Sequence, residues 1–206
     1  MAECPVFKFD HDPSVAEFTL PKHSYLAARP DAPFGYIAAS SLVLDSSSST
    51  TGGGAAGPPR VLLLQRAAAD EDDPNKWEPP GGACDDGDAS ILHAAARELW
   101  EEAGLEVTRV EGLVGRPFFF DLSGGGRVCQ FHFAMQVRRT AGCGGEGGPP
   151  AVRLDPVEHQ RFVWATEDEA RAGRAGRAGD VELDFTMREV QETVLLAFGY
   201  FRKVNA

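Results

Sequence analysis

Three carboxylates fall within a five-residue stretch of the segment Arg97-Glu98-Leu99-Trp100-Glu101-Glu102-Ala103-Gly104-Leu105. In a helix, the i, i+3 and i, i+4 spacings of Glu98, Glu101 and Glu102 turn all three toward one side. Acids gathered in this way raise one another's pKa and weaken the helix unless they are solvated or neutralised by a cation. Oxygen ligands suit Mg2+ or Mn2+ rather than zinc, and no Cys or His pair at zinc-ligand spacing lies nearby. Upstream, Trp77-Glu78-Pro79-Pro80 is too rich in proline for a helix and leads into Gly81-Gly82 as extended chain or turn.

The helix that must carry the acids has candidate N-caps at Asp88 and Ser90. Leu92, Ala95, Ala96, Leu99 and Ala103 form its apolar stripe, and Gly104 is placed to end it in a left-handed turn. The stripe anchors the helix to a sheet and leaves the acidic side beside a cleft. Strands are expected at Tyr36 to Leu44 and at Val61 to Arg66, the second apolar enough to be buried on both faces. Further strands are expected at Val107 to Val114 and Arg161 to Thr166, with a hairpin of Phe118 to Leu122 and Val128 to Val137 around Ser123-Gly124-Gly125-Gly126. Met187 to Val204 closes the chain as an amphipathic helix burying Val190, Val194, Leu195, Phe198 and Phe201. Residues 1–35 form an N-terminal extension packed on a domain spanning 36–206. In the extension, Val15 to Leu20 alternates like a short strand and a short helix lies near Tyr25. Low-complexity loops are expected near 45–60 and 139–151.

A formal net charge of -11 on 206 residues disfavours the broad basic footprint of a nucleic-acid-polymer binder. Small anionic ligands fit if a metal and a few local cations reverse the charge. The four cysteines form no C-x-x-C pair, which points to a reducing compartment, and no apolar run approaches the ~18 residues of a membrane helix. A soluble cytoplasmic protein is expected. Arg171, Arg174 and Arg177, each followed by Ala-Gly, read as a solvated loop rather than a phosphate site. Phe118, Phe120, Phe131 and Phe133 read as core at period 2 rather than as a pocket wall, with Gln130 and His132 exposed and able to reach a ligand. Cys84 reads as a small hydrophobe rather than a nucleophile, and Trp77 and Trp100 as packing residues. The substrate-binding residues are not defined.

The stretch from Trp77 to Leu105 resembles the signature of the Nudix hydrolases, G-x5-E-x7-R-E-U-x-E-E-x-G-U with U aliphatic. The second half agrees at every fixed position from Arg97 to Leu105. The first half departs: five residues after Gly82 stands Asp88 where the family has Glu, and eight residues rather than seven separate it from Arg97. A one-residue insertion with Asp88 as a shorter substitute explains both departures.

The resemblance implies an α/β (α+β) fold, an α/β/α sandwich with a mixed sheet between helices. It implies a Mg2+- or Mn2+-dependent pyrophosphohydrolase that cleaves a diphosphate linkage in a small phosphorylated metabolite, a nucleoside diphosphate joined to X. Alternatives are a catalytically weakened binding module of the same fold or a diphosphate isomerase. Glu98, Glu101 and Glu102 would be metal ligands, with the carbonyl of Gly81 or Gly82 completing the shell, and Glu98 a ligand or the base. Arg97 would orient the carboxylates by a bidentate pair. Glu158, in a stretch similar to the E-H-x-x-x-x-W of several relatives, would be a base or extra ligand, and His159 beside it a structural or solvent-facing histidine. A homodimer is in keeping with the family.

Overall fold

The computed structural model describes residues 6–46, 57–139, 148–176 and 179–204. Most of the two low-complexity loops and Arg177 lie outside these residues. In chain order the elements are β1 (Asp10–His11), a 3-10 segment (Pro13–Thr19), α1 (Lys22–Ala27), β2 (Tyr36–Asp45), β3 (Arg60–Arg66), β4 (Trp77–Glu78) and β5 (Gly81–Ala83). There follow α2 (Ile91–Ala103), β6 (Val107–Leu113), β7 (Phe118–Asp121), β8 (Arg127–Val137), β9 (His159–Thr166), α3 (Glu167–Ala172), β10 (Arg174–Ala175), β11 (Val181–Glu182) and α4 (Arg188–Val204).

A nine-stranded mixed sheet runs β1-β6-β8-β2-β3-β4, with β5 added to β2, β7 to β8 and β9 to β3. Strand β2 organises it. One edge pairs in parallel with β8 over Tyr36 to Val43, while the other receives β5 opposite Ala38 to Ser40 and then β3 at Leu44 and Asp45. Period-2 alternation divides the core between the faces. Ala39 and Val43 of β2, Leu62 and Leu64 of β3, and Phe131 and Phe133 of β8 pack under α2. Leu42, Val61, Leu63 and Ala134 face the layer built by α3 and α4. The expected α/β/α sandwich is observed.

Three expectations are corrected. Val15 to Leu20 is not a strand: Asp12 caps a 3-10 segment through its bond from Ser14 N, Pro13 presets the first φ, and Val15 and Phe18 are buried three residues apart. On α4 the buried face is Val190, Thr193, Val194, Ala197 and Phe198, whereas Leu195 and Phe201 are half-buried, because the face follows the smaller residues beside the stripe. Arg171 and Arg174 lie in α3 and β10 rather than in a loop, although Arg171 is solvated and paired with Glu167. Among the described residues no helix is long and apolar enough to cross a membrane.

Candidate active site

Helix α2 begins at Ser90, whose hydroxyl accepts from His93 N at 3.1 Å, and ends at Gly104 in the left-handed region with φ 68°. The whole stripe from Leu92 to Ala103 is buried. At about 1.5–3 kcal/mol for each large apolar side chain, this burial fixes the helix against the sheet. Ser41 Oγ adds a bond to Ala95 O at 3.0 Å, and Ser41 N donates to Pro80 O at 2.8 Å, so β2 holds both the helix and the chain leading to the glycine pair.

The three acids do not share one environment. Glu101 is exposed, Glu98 is half-buried, and Glu102 is buried, deeper than an acidic helix surface implies. Glu102 Oε2 accepts from Gly81 N at 2.8 Å. Glu98 lies so close to Gly82 that a Cβ there would fall 2.8 Å from Glu98 Oε1, and a Cβ on Gly81 would fall 2.4 Å from Ser40 Cα. Glycine is therefore required at 81, where the clash is with backbone, whereas a Cβ at 82 would displace the Glu98 carboxylate. Burial pushes Glu98 up to about 7, with Arg97 opposing the shift and Glu101 and Glu158 adding to it. Burial, then repulsion from Glu98 and Glu78, raises Glu102 well above the usual carboxylate range, against the Gly81 bond.

Arg97 is the hub of this end. Its Nη1 donates to Glu98 Oε1 and Glu101 Oε2, each at 2.9 Å, and its Nη2 to Ala83 O at 3.0 Å. The expected bidentate pair exists, but its partner is Asp88: Nε to Oδ1 at 3.0 Å and Nη2 to Oδ2 at 3.1 Å. Two single bonds reach the glutamates because they leave from one nitrogen, while the planar edge of the guanidinium faces the loop.

The C-terminus of α2 also recruits the segment that brings Glu158. Arg153 N donates to Ala103 O at 2.9 Å and Asp155 N to Glu102 O at 3.3 Å, covering helix carbonyls that lack intrahelical partners. The turn delivers Glu158 and His159 to Glu102, and ligand atoms of the three lie within 4.8 Å of one another. His159 is buried rather than solvent-facing. Glu101 is not part of this group.

Beside Gly81 and Gly82 opens a cavity of about 570 Å³. Its walls include Tyr36, Phe118, Phe120, Leu122 and Met187, and Ser40, Gln130 and His132 also line it. The four phenylalanines divide by register: Phe131 and Phe133 face α2 as core, whereas Phe118 and Phe120, on β7, are cavity wall. Gln130 and His132 are buried, not exposed: Gln130 is bonded to Ser40 of β2, and the Phe118 ring packs on His132. Gln130 Nε2 donates to Ser40 Oγ at 2.6 Å. His132 stacks obliquely on Phe118, its Nδ1 has no partner among the described residues, and burial pushes the ring down to about 4. Lys22 and Arg66 line the cavity but are engaged, Lys22 with Asp86 and Arg66 with Asp70 and Glu78.

The family model for the NUDIX domain matches residues 51–184, more than half of the chain. The chain belongs to the Nudix family. No curated protein sequence matches it. Among solved structures, the NUDIX domain of Shewanella oneidensis NrtR complexed with ADP ribose is similar with a TM-score of 0.53 at 14% identity, covering 87% of this chain and 97% of that one. A C. elegans Ap4A hydrolase binary complex has a TM-score of 0.51 at 22% identity, with coverages of 82% and 99%. A NUDIX hydrolase from Nitrosomonas europaea has a TM-score of 0.51 at 19% identity, with coverages of 82% and 89%. At such identities the likeness is one of fold. The carboxylate of Asp88, expected at the place of the first glutamate of the signature, is spent on Arg97. Sequence reasoning passed over Glu78, which contributes to the raised pKa of Glu102 and is paired with Arg66 Nη1 at 2.7 Å. Its only sequence signal is its position directly before the proline and glycine pairs.

Proposed function

We propose that this Nudix chain is a divalent-metal-dependent hydrolase that cleaves the diphosphate linkage of a small phosphorylated metabolite, a nucleoside diphosphate joined to a second group. The observation that carries this reading is the convergence of Glu98 and Glu102 on the glycine pair at the mouth of an aromatic-walled cavity.

The donors fit a hard divalent ion. Glu102 is buried, faces Glu98, Glu78 and Glu158, and accepts one hydrogen bond, so its charge lacks a compensating cation among the described residues. Glu98, Glu101 and Glu102 would hold Mg2+ or Mn2+, with the Gly82 carbonyl and Glu158 as further ligands. When bound, the ion neutralises phosphate charge and activates water. Glu98 Oε1 is tied to Arg97, which leaves Oε2 as the oxygen that either joins the ion or takes a proton from the attacking water. Glu158, exposed beside Glu102, is the second candidate base. Arg97 is a positioning residue that fixes Glu98 and Glu101 and is itself fixed by Asp88.

The cavity suits a neutral flat group, with Phe118 and Phe120 for stacking and the Gln130 amide and Ser40 hydroxyl for hydrogen bonding. Because Lys22 and Arg66 are already paired, the charged part of the substrate belongs at the glycine end. Cys84 is buried with its thiol pushed up to about 12, which offers no nucleophile to an isomerase reading. The test is incubation with Mg2+ or Mn2+ and nucleoside diphosphate derivatives, dinucleoside polyphosphates, inositol pyrophosphates and prenyl diphosphates. Hydrolysis of a nucleoside diphosphate derivative is expected. Tight binding of that derivative without turnover of any compound would make the chain a binding module instead.

A further inference from the structure

His159 opens β9, where its backbone pairs opposite Arg66 across a register shift between Gln65 and Arg66. Its ring is 3% exposed, and both Nδ1 and Nε2 are closed to solvent without a hydrogen-bond partner among the described residues. Buried imidazoles held for structural reasons normally donate to a carbonyl or carboxylate, since an unsatisfied polar atom costs about 1–3 kcal/mol. Here the nearest acid on β4, Glu78, has its Oε1 3.9 Å from Nε2, beyond hydrogen-bond range, and that oxygen already accepts from Arg66. What the ring does face is a pair of carboxylates, Glu102 and Glu158, with one nitrogen and one oxygen from each mutually within 4.8 Å. A divalent cation satisfies a nitrogen lone pair and two anionic oxygens together.

We propose that the His159 imidazole is a nitrogen ligand to a divalent cation shared with Glu102 and Glu158, so that this centre prefers a transition ion such as Mn2+ over Mg2+. The inference rests on the reading that a divalent ion acts at the end of α2, and it extends the all-oxygen donor set of that helix. Imidazole suits first-row transition ions, while Mg2+ favours oxygen ligands and retained water, so one nitrogen in the shell shifts selectivity without changing charge. Glu158 is exposed and free to swing inward, whereas Glu102 and His159 are packed in place.

The test is pulsed electron paramagnetic resonance of the intact chain loaded with Mn2+. Electron spin-echo modulation from a directly bound 14N is expected, replaced by the 15N pattern when the protein is labelled with 15N-histidine. His159→Gln should abolish the modulation and raise the Mn2+ dissociation constant about tenfold or more, with a smaller change for Mg2+. Bound Mn2+ without nitrogen coupling in the wild-type chain, a measurement that needs no variant to fold, overturns the proposal, as does coupling that survives in His159→Gln. Hydrolysis is scored separately with Mg2+. Turnover without nitrogen coupling removes this ligand and leaves the hydrolase, whereas coupling without turnover of any diphosphate leaves the ligand and removes the hydrolase.

Discussion

Glu98→Gln in the presence of a chelator exposes the electrostatic strain stored at the end of α2. Burial raises the Glu98 carboxyl from its ordinary 4.5 to about 7, and the side chain is only 12% exposed, so solvent screening removes little of the effect. A raised folded-state pKa contributes stability that is fully present below 4.5 and is lost as pH rises through about 7. Between about pH 5.5 and 8.5 the folded state gives up one proton at about 7, while the unfolded state is already ionised at the lower limit. The loss spans roughly 1.5 pH units, or about 2 kcal/mol at about 1.4 kcal/mol per unit. Glutamine keeps the shape and the bond from Arg97 but does not ionise. In thermal melts without metal the variant should therefore gain on the wild type by about 4–8 °C between these two pH values. Using the difference between the two proteins cancels the opposite contribution of His132, whose depressed pKa stabilises the fold above about 6.5 and is lost as pH falls toward about 4. Mn2+ or Mg2+ at the upper pH should restore the wild type and leave the variant less affected. A difference that stays constant with pH, or a wild type that gains on the variant, would refute the reasoning.

Glu102→Gln keeps the geometry that accepts Gly81 N–H but removes a ligand charge, so turnover should fall about a thousandfold or more with an unchanged circular dichroism spectrum; near-normal turnover would remove Glu102 from the metal set. Asp88→Ala takes away the bidentate anchor of Arg97 and should lower stability by about 2 kcal/mol together with kcat, since Arg97 keeps its bonds to Glu98 and Glu101. Asp88→Glu should recover both in melts and rate assays. Phe118→Ala should raise KM about tenfold for substrates with an aromatic base while kcat holds, and a loss confined to kcat would place the base elsewhere.

Much of this architecture is legible in the residues because local rules and tertiary packing agree. The α2 stripe, its Ser90 and Gly104 caps, and the β7–β8 hairpin are each encoded within a short window, and the fixed spacing from Arg97 to Leu105 identifies the family. Helix α3 is also locally encoded, by a Thr166 and Glu169 capping box, but the following Arg-Ala-Gly repeats obscure it. Other features have no local signature. Phe118 of β7 packs on His132 and Ser40 of β2 bonds Gln130, which turns these two residues from an expected surface into a buried wall. His159 meets Glu102 only through the β3–β9 pairing and the turn that caps α2. The depth of Glu102 likewise depends on chain some 50 residues away, Asp155 to His159.

The central claim is most directly tested by product analysis in 18O-labelled water with nucleoside diphosphate derivatives, Mg2+ or Mn2+ being added or chelated. The account predicts cleavage between two phosphorus atoms, with one labelled oxygen on one phosphate product, and no cleavage under chelation or in Glu102→Gln. Binding of the same compounds without cleavage under either ion would contradict it.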